Sequence, residues 1–128
     1  MWARDSASAF LIRLPPTFRR RPLKGLDSEV GRWASDTARL TYDYGAYSNP
    51  LEEAPYLGGI SCAVTIGGKP TRVVALRDST GEFVVAAHWK VFGEHGMGPV
   101  SLTIHGATRD SLQVASLIAS IWSITFKQ

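Results

Sequence analysis

Proton transfer or metal binding in this chain would fall to three histidines, His88, His95 and His105, and to the carboxylates near them. A metal would need two of the three to converge with a carboxylate, and neither an HxH nor an HExxH spacing is present, so no metal site is expected. In FVVAAHW, alternation puts His88 opposite Trp89 and beside Val84 and Ala86, which predicts a half-buried, hydrogen-bonded ring. His105 shares its face with Ser101 and Thr103, which predicts a polar, exposed surface. His95 sits with Glu94 among Gly93, Gly96 and Gly98, and a glycine-rich loop of that kind is a common place for binding residues.

The second concentration of chemistry is TYDYGAYSNP, residues 41–50. Alternation places Leu40, Tyr42 and Tyr44 on one face, which predicts an inward aromatic side. Asp43 faces the other way, toward solvent or neighbouring Arg and Lys. Tyr47, Ser48 and Asn49 fall in the break that follows, where Ser and Asn side chains satisfy turn backbone. No base or nucleophile adjoins the tyrosines, so the stretch reads as an aromatic strand running into a loop. The candidate ligand-binding residues are therefore Asp43, Tyr47, Ser48, Asn49, His95 and His105, and no catalytic set is assigned. An enzyme or small-molecule reading would rest on Asp43, His88 or His105.

Other motifs exclude more than they propose. There is no GxSxG elbow, no phosphate loop ending in GK[ST] and no GxGxxG opening a helix, so no nucleotide or other cofactor is expected. The single cysteine, Cys62, rules out an internal disulfide and a multi-cysteine zinc site. It lies between Ile60 and Val64 on an apolar strand face, which predicts a buried, unreactive thiol.

Net charge is +3, and the excess is local: Arg19, Arg20, Arg21 and Lys24 fall within six residues. The run reads as a solvated basic loop, with weak polyanion binding as an alternative function. It has neither aromatic interleaving nor a helical period, so nucleic acid is not an expected partner. No stretch approaches the ~20 apolar residues that a membrane-spanning helix needs. MWARDSASAF carries Asp5 and no sustained apolar core, unlike a signal peptide. The chain thus reads as cytosolic, or as a mature or shortened form of an exported protein.

These residues must be positioned by a single domain, since 128 residues leave little room for a second, and 45% hydrophobic and 20% charged content are ordinary globular values. Residues 1–8 read as a flexible leader and 9–128 as the domain. Phe10, Ile12 and Leu14 alternate in a first strand ended by Pro15-Pro16. Residues 17–28 read as a long connection, and a short strand anchored by Val30 and Trp33 follows. Ile60, Cys62, Val64 and Ile66 alternate up to Gly67-Gly68, a hairpin signal, and PTRVVALRD returns as the partner strand. DSTGE is a second turn between that strand and EFVVAAHWKVF, and VSLTIHG is one more strand. After Thr108, a candidate N-cap with Asp110 in the first turn, the period changes: Val114, Leu117, Ile118 and Ile121 fit one face of a helix. WSITF reads as a closing strand. The expected fold is α+β: an antiparallel sheet of six to seven strands with one long C-terminal helix packed on one face.

Taken in order, LPPTF, GLDSEVG, LTYDYGAYSNPL, IGGKPTRVV, FVVAAHW, VSLTIHG and SIWSITF resemble a group of small bacterial domains of unknown function. That group is often found on exported or lipid-anchored proteins. The resemblance spans about residues 9–126 and is most specific at Asp43-Tyr44-Gly45 and Tyr47-Ser48-Asn49-Pro50-Leu51. The layout is also similar to PsbP-like α/β/α sandwiches. The likeness implies a possible cell-envelope origin and supplies no catalytic residues; Asp27, Asp43 and Tyr47 are matching positions only. The expected function is a non-enzymatic accessory or binding domain, using loops 46–56 and 93–99. Its protein or small-molecule partner and its oligomeric state are left open.

Overall fold

Period-two alternation dominates the chain, and the computed structural model, which describes residues 2–7, 9–21, 23, 29–45, 48–52, 58–94 and 99–127, is accordingly mostly strand. Three strands make a small antiparallel sheet in the order β1-β2-β10: β1 (Ala3–Ser6), β2 (Phe10–Leu14) and β10 (Thr125–Phe126). Seven make a large one: β3 (Arg19–Arg21), β4 (Glu29–Ala34), β5 (Ala38–Gly45), β6 (Ile60–Ile66), β7 (Lys69–Arg77), β8 (Phe83–Glu94) and β9 (Pro99–Thr108). Their order is β3-β4-β5-β9-β8-β7-β6, and every neighbouring pair is antiparallel. The fold is α+β, as expected. The helix is short, however: α1 (Val114–Trp122) has nine residues, preceded by a 3-10 turn over Ser111–Gln113. Its cap is Asp110, whose side chain accepts from the Leu112 N–H at 3.0 Å; Thr108 instead donates to the Thr37 carbonyl at 2.6 Å.

The core lies on one face of the large sheet, under α1 and the small sheet. Register aligns Gly31, Tyr42, Ile104 and Ala87 across four strands, and Trp33, Leu40, Gly106 and Val85 beside them. Leu117 and Ile121 of α1 and Phe10 and Ile12 of β2 are fully buried against this surface. Phe10 meets Tyr42 edge-on with ring centres 5.3 Å apart, and Trp33 lies 5.2 Å from Tyr42. Gly31 is required here, because a Cβ would stand 2.2 Å from the Tyr42 ring. Tyr42 is thus the core tyrosine, while Tyr44 is only half-buried at its margin.

Four further expectations need correction. Residues 3–6, read as part of a flexible leader, pair with β2 as β1. Within the 17–28 connection, Arg19–Arg21 form β3, the outer strand beside β4. Ile118 points outward, with Leu112 and Trp122, so the solvent side of α1 is apolar. Cys62 is exposed, and so is Ile60, at 73%. The alternation of β6 was read correctly, but β6 is the outermost strand and the covering layer reaches only its turn end. There Ile66 is buried and Gly67 abuts Phe126 and the Ile124 carbonyl. No helix among the described residues is long and apolar enough to cross a membrane.

Candidate functional site

The second face of the large sheet carries the polar side chains. Thr41 and Asp43 of β5 stand opposite His105 and Thr103 of β9, and His88 of β8 stands opposite Thr103 on the other side. Arg72 of β7 follows opposite His88. The chain leaving β5 in mid-sheet must reach β6 at the far edge. Residues 48–52 belong to this crossing and lie over β9, β8 and β7. Two signals in SNPL shape it. Asn49 Oδ1 accepts from the Leu51 N–H at 2.9 Å, and Leu51 adopts a left-handed backbone at φ 61°. That turn seats Leu51 on Val74 and Ala86.

Polar groups of the sheet hold this strap. The Thr103 hydroxyl donates to the Asn49 carbonyl at 2.6 Å. A hydroxyl has one proton, so the 2.8 Å contact between Thr103 Oγ1 and His88 Nδ1 must have the imidazole N–H as donor. The Ser101 hydroxyl likewise donates to the Gly45 carbonyl at 3.2 Å, so Ser48 is the donor in the Ser48–Ser101 contact. His88 is therefore fixed as the Nδ1–H tautomer, which leaves Nε2 as an acceptor. Burial lowers its pKa, Arg72 and Lys90 lower it further, and Glu52 opposes them. The ring is neutral at pH 7.

Beside the strap, His88 lines a cleft of about 650 Å³ together with Pro50, Glu52, Ser61, Arg72 and Lys90. That volume suits a small ligand, for which roughly 300–1,000 Å³ is usual. An acceptor nitrogen, two cations and one carboxylate thus share one opening. A second opening of about 610 Å³ lies at the other end of the sheet, where Arg21, Arg32, Arg39 and Arg109 face Asp36, Glu82 and Asp110. Much of its charge is internally engaged. Arg39 grips Glu82 through two bonds of 2.7 and 2.9 Å, and Arg32 Nε donates to Thr41 Oγ1 at 3.1 Å.

The expected site residues separate in this arrangement. Ser48 and Asn49 are structural parts of the strap. Asp43 stands half-buried between Val30 and Thr103, and its buried Oδ1 has no hydrogen-bond partner among the described residues. His105 is half-buried rather than exposed, and Ser101 and Thr103 beside it are buried, because the strap covers part of a face that alternation alone showed only as polar. Burial and then Arg39 lower the His105 pKa. Asp27, Tyr47 and His95 lie outside the described residues. So do most of loop 46–56 and residues 95–98.

The basic run also divides. Arg20 stays exposed at the rim where the two sheets meet, donates to the Tyr42 hydroxyl at 2.9 Å and lies 3.5 Å from Asp5, with the Trp33 ring 5.3 Å away. Trp33 Nε1 donates to the same Asp5 carboxylate at 2.6 Å. Arg19 spends its guanidinium on the Pro16 and Phe18 carbonyls, and Arg21 lines the second opening. Lys24 lies outside the described residues. Arg19–Arg21 are solvent-exposed, as expected, but they form an edge strand and not a loop.

Sequence reasoning missed Arg72, Lys90 and Glu52 as neighbours of His88. Arg72 had a signal in the second strand of the Gly67-Gly68 hairpin, but its partner was set by the register between β7 and β8. Among the described residues no three of His, Cys, Asp and Glu gather as a metal would require. Neither a protein-family model nor a curated protein matches the chain.

Proposed function

We propose that this is a non-enzymatic binding domain whose ligand enters the cleft between the 48–52 strap and β6–β8. One observation carries the reading: the hydrogen bond between His88 and Thr103 runs from imidazole to hydroxyl. A nucleophile–base pair needs the opposite direction, with the hydroxyl proton passing to the ring. The Thr103 proton is committed to the Asn49 carbonyl of the strap and the Ser101 proton to the Gly45 carbonyl of β5, so neither is available to the ring. His88 Nε2 is left to accept one hydrogen bond from a ligand, with Arg72 and Lys90 placed to meet negative charge. A small molecule with an N–H or O–H donor next to a carboxylate or phosphate matches that set.

The test is an NMR titration of isotope-labelled protein with amino acids, hydroxy acids and sugar phosphates. The expected result is saturable shifts confined to Glu52, Arg72, His88 and Lys90 and weakened by Arg72→Gln. Shifts elsewhere, no shifts at all, or conversion of the added compound during the titration would each overturn the reading.

A further inference from the structure

The two outer strands of the large sheet are opposites. β3 is three residues long, and all three are arginines. Short length and charge are the usual protection of a strand edge against pairing with another chain. β6 has seven residues, ISCAVTI, with no charge and no proline, and glycines flank it on both sides. Its Ile60 and Cys62 are exposed.

The hydrogen-bonding phase of this edge can be worked out. Gly67 and Gly68 both have positive φ, 63° and 81°, as a two-residue type I′ hairpin loop requires. In such a loop the flanking pair, Ile66 and Lys69, exchanges both of its hydrogen bonds, and bonded pairs then recur at every second residue. Pro70, which has no N–H to give, accordingly stands opposite Thr65 in a non-bonded pair. The backbone groups of Ser61, Ala63 and Thr65 therefore point away from β7, toward solvent.

Read from either end, the strand has the same character: Ile, a hydroxyl residue, Cys or Val, Ala, Val or Cys, a hydroxyl residue, Ile. We propose that β6 pairs antiparallel with β6 of a second copy about a two-fold axis at Ala63, joining the two large sheets edge to edge. The register then sets Ala63 against Ala63, Ser61 against Thr65, Cys62 against Val64 and Ile60 against Ile66. The three outward-facing residues of each copy fall in bonded pairs and satisfy one another. On the core side, exposed Ile60 comes to lie beside buried Ile66 of the partner and the tail at Ile124 and Phe126 that covers it. This contact is isologous and closed, so it stops at two copies. Charge does not oppose it. The two Arg72 side chains, each one strand in from the junction, stand three strand spacings apart, about 14 Å. That exceeds the screening length of roughly 8 Å at physiological salt. A seven-residue edge is small against a standard interface of ~1,600 Å², so the dimer is one that dissociates on dilution. The inference stands independently of the ligand reading.

The test combines sedimentation equilibrium with two variants. The wild-type chain is expected to shift from monomer to dimer as concentration rises. Ala63→Pro removes only an outward N–H, a position that an edge strand tolerates. It should keep the wild-type circular dichroism and remain monomeric. Val64→Cys places a new thiol opposite the native Cys62 of the partner, in a non-bonded pair with Cα atoms about 4.5 Å apart, within disulfide reach. It should cross-link quantitatively under mild oxidation. In the wild type the two Cys62 residues are diagonal neighbours roughly 7–8 Å apart and should link poorly. A wild-type chain that stays monomeric at the highest soluble concentration, as it would if the edge were reserved for another protein's strand, overturns the proposal. So does a Val64→Cys variant that links no better than wild type.

Discussion

Replacing Thr103 with valine removes one hydroxyl and leaves the shape of the side chain unchanged. Two bonds disappear, the one from His88 Nδ1 and the one to the Asn49 carbonyl. The two losses are unequal. Asn49 is exposed, so water can replace its partner, and that loss is about 1 kcal/mol, the ordinary net value of a hydrogen bond. His88 is 6% exposed and its N–H is left without an acceptor, for which about 2 kcal/mol is typical. The sum, roughly 3 kcal/mol, is a large share of the 5–15 kcal/mol that holds a domain folded. Thr103→Ser, which keeps the hydroxyl and loses a methyl, should cost no more than about 1 kcal/mol. Denaturant melts of the two variants measure the difference. Two-bond nitrogen–proton correlations of the imidazole identify the tautomer directly. Near-equal stability of the two variants, or an Nε2–H tautomer in the wild type, would refute the assigned direction of the bond and with it the proposed function.

Other predictions follow from the same geometry. Tyr42→Ala should cost roughly 3–5 kcal/mol and Tyr44→Ala about 2 kcal/mol, because only the first ring is fully buried; chemical melts of the pair check the order. Gly31→Ala forces a methyl into the Tyr42 ring, which Arg20 and Phe10 hold in place, and should cost about 2–3 kcal/mol in the same assay. Arg20→Met should cost about 2 kcal/mol, from one hydrogen bond, ring stacking and a solvent-screened ion pair, and should quench or shift Trp33 fluorescence. His88 and His105 both have pKa values below the ordinary 6.5, so the unfolded chain binds more protons than the native one as pH falls through that value. Their contribution to stability is full above pH 6.5 and fades on acidification below it. Melting temperatures taken between pH 7.5 and 5 should fall, and His88→Gln should flatten the slope.

Most of the strands were legible because a period of two survives even where the burial it implies does not. β2, β4, β5 and the β6–β7 hairpin follow directly from Phe10-Ile12-Leu14, Trp33, Leu40-Tyr42 and Gly67-Gly68. What alternation cannot tell is whether a strand lies inside a sheet or at its edge, and Cys62 was misplaced for that reason alone. Arg20 was hidden by its neighbours: in a run of three arginines nothing marks the middle one as the partner of Tyr42 and Asp5. The His88 cleft was illegible for a different reason. Its residues come from β7, β8 and the strap, and only the register between strands and the course of residues 48–52 bring them together. Asn49 was rightly seen as a turn residue, whereas the Ser48 hydroxyl bonds Ser101 on β9, a surface that comes some fifty residues later.

The strand order has a consequence for how the chain is made. β3, β4 and β5 form one continuous half of the large sheet, and β6 to β9 form the other as an unbroken meander. Among the described strands, the halves are hydrogen-bonded to each other only through the β5–β9 pair. During synthesis the β5 edge, with Leu40 and Tyr42 beside it, therefore stays bare until residues 99–108 leave the ribosome, and the layer over the core is completed later still by α1 and β10. A nascent chain stopped just before Pro99 has β3–β5 and β6–β8 but no β9 to join them. That intermediate, and not the finished domain, is the species that a chaperone would have to guard.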